Sequence, residues 1–292
     1  MKYSNSLYLK DQIPKWKTWN NEPFHPISYS ELLLPPKAKI FFESNNLEVT
    51  TYRDLLEQIL PNGKIKQNGE TYKKEQDWIC HFDPDLESST LARSTNWRGL
   101  FGQADKAELH LRNNQLGKDD LFLFFGWFRK TILKDNQLIY DPLNKEDMHI
   151  IYGYLQVDYK LTKNDSEKVQ SWMNYHPHFR YELWNEEHNS VYVARKNLSW
   201  NNNKPGAGTF QFSSELILTD LTNNNPKGLR THWRYDLFPM NLYISYHKPK
   251  SHCIEINDQG NKIKYFQAAT RGQEFVITDS SKIIGWVKSL FA

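Results

Sequence analysis

Cys80 to Leu86 reads CHFDPDL, with the imidazole of His81 two residues before Asp83, and Asp83 two before Asp85 across Pro84. Imidazole and carboxylate are the groups of general acid–base chemistry and of zinc, iron or manganese binding. On an extended strand, side chains two residues apart share a face, so His81 and Asp83 would point together. Pro84 would fix a turn that presents Asp85 beside them. The plainest reading has Asp83 and Asp85 capping that turn, or a helix that begins near Leu86. Ligand binding or catalysis by His81 and Asp83 ranks second and metal binding last, so no metal ligand and no cofactor is assigned. A second imidazole pair stands in His176-Pro177-His178. The proline favours an extended backbone before it, so both rings could flank one face and His176 could complete a site with His81; the plainer reading leaves both as surface or satisfied core histidines.

Other stretches carry residue types suited to nucleic acid. KDDLFLFFGWFR ends in aromatics and a cation. Trp127 or Phe128 there could stack on a base and Arg129 could pair with a phosphate or a base edge, although a sheet core with an edge arginine is the plainer reading. In RGQEFV, Arg271 and Gln273 are of the types that read base edges. NNNKPGAG is a glycine-bearing loop whose N–H groups could hold an anion, although neither a GxGxxG nor a GKS/GKT pattern is present. There is no GxSxG, and neither Cys80 nor Cys253 has a local histidine, so nucleophilic hydrolase schemes have no local support.

The totals bound these options. A chain of 292 residues can bury a large core, and its ten Trp, 16 Tyr and 16 Phe offset a modest apolar content of 39%. A net charge of +3 is compatible with nucleic acid without demanding it. Two cysteines without CxxC spacing exclude a zinc knuckle. The start shows no secretory h-region, and the longest apolar run, Leu121 to Phe128, is too short for a bilayer. A cytoplasmic protein with no membrane partner is expected.

The elements that must position these groups follow from periodicity. Residues 1–47, punctuated by five prolines, read as an irregular surface segment. TYRDLLEQIL reads as a helix capped by Thr50 or Thr51, DWICHF as a short buried strand, and ADKAELHLRN as a helix. Leu121 to Phe128 reads as a fully buried strand. Asp147 to Leu161 is β-rich, and its Gly153 marks a bulge or a close backbone approach. DSEKVQSWMNY predicts a helix, SVYVAR a strand and NNNKPGAG a loop. Four further strands are expected at Leu216–Thr219, Leu242–Tyr246, Cys253–Ile256 and Lys262–Phe266, the last two joined as a hairpin through NDQGN. SSKIIGWVKSLF closes the chain as a helix with a serine cap. Strands and helices do not alternate as in a doubly wound fold. The expectation is one α+β domain over 1–292, with a mostly antiparallel or mixed curled sheet, flanking helices and 1–47 as a divergent opening.

The blocks CHFDPDL, NWRGLFGQADKAELHL, DDLFLFFGWFR, DMHIIYGYLQV, HPH, NSVYVA, GAGTF, ISYH and RGQEFV occur in this order. The series resembles the nucleotide modification-associated domain family, third type, over about Cys80 to Val276. HFDPDL and DLFLFFGWFR are its most specific parts. The resemblance implies a place in the DNA base-modification or phage-defence systems of phages and bacteria, and does not name a reaction. The family tends to open with a strand and a basic-Gly-Phe-Asp-Ser-like segment, which MKYSNSLYLKDQIPKWKTWNN does not contain. If that opening carries catalytic groups, this chain lacks them. A second, shorter likeness, Gly117 to Phe128 and Ile150 to Val157, is to the barrel strands of PUA-like and EVE-like domains, and implies a small β-barrel that holds RNA or a flipped base.

Three functions follow. The first is a reader of a modified base. Trp97, Trp127 and Tyr154 would be its walls, and His81, Asp83, Gln103 and Gln156 its hydrogen-bonding groups. Arg98, Arg129 and Arg271 would hold phosphates, and Asp85, His176, His178 and Gln273 complete the ligand-binding set. The second is an enzyme acting on a nucleotide or base, with His81 as general base and Asp83 orienting it or acting as acid. The third is a non-catalytic structural partner of a modification complex. The expected partners are nucleic acid or nucleotide and the proteins of a modification system.

Overall fold

A computed structural model describes residues 15–60, 64–67, 70–73, 77–144, 146–225, 227–239, 242–245, 253–258, 260–269, 274–278 and 281–292. The opening 1–14, Tyr246, Ser280, Arg271 and Gln273 lie outside the described residues.

The segment expected to be irregular contains helix α1 (Pro36–Ser44). Prolines that look like breakers stand here at the N-cap and the first helical position, where a missing N–H costs nothing. Helix α2 (Tyr52–Ile59) starts as expected. The Thr51 hydroxyl accepts from the Asp54 N–H, and the Asp54 carboxylate accepts from the Thr51 N–H, a complete capping box. The strands β1 (Lys64–Gln67) and β2 (Glu70–Lys73) then pair as an antiparallel hairpin.

DWICHF is not a strand. It carries only isolated bridges at Trp78 and Ile79, the latter with Ser28, and six residues after Ile79 Asp85 bridges Leu100. Leu100 opens β3 (Leu100–Ala104), which runs into α3 (Asp105–Asn113). Next come β4 (Leu121–Arg129), β5 (Thr131–Lys134), β6 (Gln137–Tyr140) and the 15-residue β7 (Asp147–Leu161). A short α4 (Tyr181–Trp184) leads to β8 (Asn189–Ala194), β9 (Asn197–Leu198), β10 (Asn201–Pro205) and β11 (Ala207–Thr209). The last strands are β12 (His232–Arg234), β13 (Cys253–Asp258) and β14 (Asn261–Gln267), ahead of the closing helix α5 (Ser281–Ser289).

The central sheet is antiparallel, in the order β11-β7-β8-β3 with β4 on the other side of β7. β12, β14 and β13 form a second sheet that includes the expected hairpin. The protein is therefore α+β. Among the described residues no sheet closes, which corrects the barrel that the PUA-like likeness implied. Both faces of β3 and β8 are buried. Phe101 and Tyr192 pack with Leu86, Leu155 and Val157 on one side, and Leu100, Val191 and Val193 with Phe179 and Trp184 on the other.

Three further expectations change. Among the described residues β4 pairs along β7 alone, as an edge strand; it is half-buried, and Trp127 at its end is 61% exposed. DSEKVQSWMNY forms two 3-10 turns, Lys163–Lys168 and Ser171–Met173. Asp165 leaves helical geometry at φ −110°, and Gln170 is extended, so Val169 and Met173 can reach the core around Trp184. NNNKPGAG supplies β10 and β11 rather than a loop. A side chain at Gly206 would lie 2.0 Å from the Arg195 carbonyl oxygen, so glycine serves close backbone approach there. Among the described residues Leu216–Thr219 makes isolated bridges only, and Ile244 one with Ile277. Gly153 behaves as expected: a Cβ there would lie 2.5 Å from Leu86 Cδ1, beside a bulge in the β4–β7 register.

Candidate functional site

The Asp85–Leu100 pair sets the register between CHFDPDL and RGLFGQA. Each N–H donates to the other's carbonyl, at 2.8 and 2.9 Å. Running antiparallel from there, Asp83 falls opposite Gly102, and the Gly102 N–H donates to Asp83 Oδ1 at 2.8 Å. The Asp83 N–H donates to the His81 carbonyl at 2.8 Å, a tight turn that swings both side chains to the same place without a strand.

HPH arrives from the other side. Pro177–Phe179 is a 3-10 turn rather than an extended run. It is pinned by Phe179, which is fully buried beside Trp184. The turn delivers both rings to Asp83. His176 Nδ1 accepts the His178 N–H at 3.4 Å, so its Nε2 carries the proton and donates to Asp83 Oδ1 at 3.2 Å. His178 has the opposite tautomer. The Asn189 amide donates to the His178 carbonyl at 3.1 Å, which turns its Oδ1 to accept from His178 Nδ1 at 2.7 Å. The Nε2 lone pair of His178 therefore points at Asp83 Oδ2, 3.6 Å away. His81 Nε2 lies 3.8 Å from the same oxygen, and the His81 and His178 rings meet edge to face at 5.8 Å.

Asp83 is 8% exposed at its side chain and His176 fully enclosed, whereas His81 is 25% exposed and marks the way in. Burial pushes the Asp83 carboxyl up, but the His176 hydrogen bond and the three imidazoles outweigh it and hold it at about 2. Burial pushes His178 down to about 4 against the pull of Asp83. The centre is a buried carboxylate with one oxygen saturated by donors and the other facing two imidazole nitrogens. Such a centre can hold a cation or move a proton. Among the described residues, His81, Asp83 and His178 form the one group of side chains whose nitrogen and carboxylate atoms, all within 4.8 Å of one another, could hold a metal ion. The metal reading, ranked last on sequence, therefore gains most from the fold.

The other sequence candidates are not brought here. Asp85 is fully buried in a network of its own. Arg93 grips it through two nitrogens at 2.6 and 2.8 Å, the Trp97 Nε1–H donates at 3.2 Å, and the Tyr175 hydroxyl donates as well. Burial pushes the Asp85 carboxyl up while Arg93 pulls it down. Asp85 and Trp97 are thus joined to Arg93 and Tyr175 in one network. Tyr154 is core, its hydroxyl donating to the Pro205 carbonyl at 3.2 Å. Gln156 is buried and locks β7 to Asp119 and Ser199. Gln103 points away from Gly102 across β3 and donates to Glu274 at 2.7 Å. Arg98 pairs with Asp158 at 2.6 Å, and Arg129 with Asp147 at 2.7 Å at the far end of β4. Trp127, Trp97 and Tyr154 consequently do not form one aromatic pocket. Arg271 and Gln273 lie outside the described residues. The cysteines are buried and free, and burial pushes Cys80 up to about 12, so its thiol is inert.

Sequence reasoning missed Gly102, Asn189, Arg93 and Tyr175. Only Gly102 carried a signal, as a glycine inside a strand. Asn189 and Arg93 act through contacts that no local pattern announces.

The family described as nucleotide modification associated domain 3 matches residues 35–278, most of the chain. No curated protein and no solved structure matches it.

Proposed function

The chain belongs to the nucleotide modification associated domain 3 family, and we propose that it is an enzyme acting on a nucleotide or nucleobase with the Asp83 cluster as its reaction centre. One observation carries this reading. A carboxylate held ionised in a nearly closed site, with three imidazoles around it, is costly to bury, and a capping aspartate on an exposed turn needs none of it. Three imidazoles and a carboxylate that converge on one partly exposed position are the grouping that acid–base chemistry uses. His81, at the opening, is placed to touch the substrate. Asp83 and His178 stand behind it, and His176 positions Asp83.

The test is incubation with nucleosides, nucleotides and single- and double-stranded DNA and RNA at low salt, read by mass spectrometry. A modified product that is lost in Asp83→Asn supports the enzyme. Failure of every one of these ligands to bind removes it. Binding without conversion supports a reader instead, and one observation favours that second reading: Trp127, exposed at the end of β4, has the Arg230 guanidinium 4.3 Å above its ring, a surface suited to stacking on an unpaired base.

A further inference from the structure

We propose that His81 Nε2, Asp83 Oδ2 and His178 Nε2 bind one divalent first-row transition cation of the zinc and iron class. The inference concerns the same centre as the proposed function and deepens it by naming what the three atoms hold.

The donor set is two imidazoles and one carboxylate oxygen. Three protein ligands with the remaining positions open are characteristic of reactive zinc and non-haem iron centres rather than structural ones. Donor atoms bound tetrahedrally at the usual 2.0–2.2 Å lie about 3.4 Å apart. Here Asp83 Oδ2 is 3.6 Å from His178 Nε2 and 3.8 Å from His81 Nε2, and one ligand atom from each of the three residues lies within 4.8 Å of the other two. A few tenths of an ångström of closure bring both Oδ2 distances to that value. Both Oδ2 distances are too long for a hydrogen bond and leave room for an ion between the oxygen and the two nitrogens.

A second, independent observation is the support behind the ligands. Metal-binding imidazoles donate their other N–H to an oxygen, and this sets which nitrogen is offered to the ion. His178 does so to Asn189 Oδ1 at 2.7 Å. Asp83 is oriented in the same way. Its Oδ1 is taken by the Gly102 N–H and the His176 Nε2–H, which leaves Oδ2 as the single ligand oxygen. His176 is thus a positioning residue rather than a ligand. His81, on the solvent side, leaves the open positions of the ion facing the entrance.

The test uses the full chain, stripped with a chelator and titrated with Zn2+, Fe2+, Co2+ and Mg2+ without nucleotide. The expected result is one Zn2+ or Co2+ per chain, visible cobalt bands of an N/O site, and no response to Mg2+, which demands oxygen ligands. His81→Ala, at the exposed ligand, should weaken Zn2+ at least tenfold with an unchanged melting temperature, and His178→Ala should abolish binding. His176→Asn should weaken it about 10–100-fold, the range for a lost supporting partner. If His178→Ala does not fold, the wild type and His81→Ala decide. Absence of saturable Zn2+ and Fe2+ binding overturns the assignment, as does affinity unaffected by His81→Ala. A thiolate-to-cobalt band would overturn it by placing the ion on a cysteine. Stoichiometric metal with no effect on any nucleotide leaves this inference standing and sinks the enzyme reading. Nucleotide conversion that is indifferent to chelator does the reverse.

Discussion

The ring of His178 occupies the space that a side chain at residue 102 would need: a Cβ built on Gly102 lies 2.2 Å from His178 Cδ2 and Cγ. The same glycine donates its N–H to Asp83 Oδ1. One strand position thus admits the imidazole and anchors the carboxylate.

Gly102→Ala should therefore displace His178. The flexible end of a side chain could move aside, but here the clash falls on a ring held by Asn189 and buried against β3. We expect a loss of about 1–3 kcal/mol, typical of overpacking, together with loss of metal binding. Gly117→Ala is the control, since its nearest neighbour to an added Cβ is 3.8 Å away. Urea denaturation and a zinc titration of both variants check this.

Arg93→Ala should be more damaging than its exposed-salt-bridge equivalents. It leaves Asp85 buried without its guanidinium and strips a cation from the Trp97 ring, 4.5 Å away. Breaking a buried pair on one side costs about 3–5 kcal/mol. Arg93→Lys should rescue little, because a single ammonium cannot reproduce the two-pronged grip. By contrast, Arg234→Ala, at an exposed pair with Asp236, should stay within about 1 kcal/mol. Equilibrium unfolding ranks the three.

Stability should fall as pH drops below the ordinary histidine range, in part through His149. Its ring is buried between Phe125 and Trp233 and accepts the Trp233 Nε1–H on Nδ1 at 2.9 Å. Burial, helped by Arg230, pushes it down to about 4. The unfolded chain takes up a proton at this residue near pH 6.5 while the folded chain refuses it, so its contribution is complete above about 6.5 and is lost towards 4. Melting temperatures of the wild type should decline over that window, and those of His149→Asn should decline less. Parallel curves would rule His149 out as a contributor.

Trp127→Ala separates the two functional readings. With 61% of the residue exposed, its removal should leave stability within about 0.5 kcal/mol. If the end of β4 stacks on a base, single-stranded binding weakens by about 1–3 kcal/mol, while conversion of a free nucleotide at Asp83 is untouched. Fluorescence anisotropy with short oligonucleotides reads the first effect and a nucleotide turnover assay the second.

Several elements were legible in the residues alone because local rules govern them. The capping box at Thr51 starts α2 wherever the helix packs. The run from Asp147 to Leu161 is β7 to the residue, and the turn between β13 and β14 makes its hairpin. The order of motif blocks from CHFDPDL to RGQEFV pointed to the family, and the chemistry-bearing types, His81 and Asp83, stood out by spacing. The exposure of Trp127 was not legible. An apolar run reads the same at a sheet edge as in its centre, and only the pairing partners decide.

The site itself belongs to the tertiary structure. His176 and Asp83 are 93 residues apart, and no periodicity links them. They meet because the Asp85–Leu100 pair sets a register that places Asp83 opposite Gly102, while a 3-10 turn pinned by Phe179 brings HPH to the same point. That turn also separates the roles of residues that the sequence presents as equals. Asp83 faces the imidazoles and Asp85, two positions on, is shut in with Arg93. Residue types and their order are local information. Which carboxylate meets which imidazole depends on packing between distant segments, and that is settled only when the whole core closes.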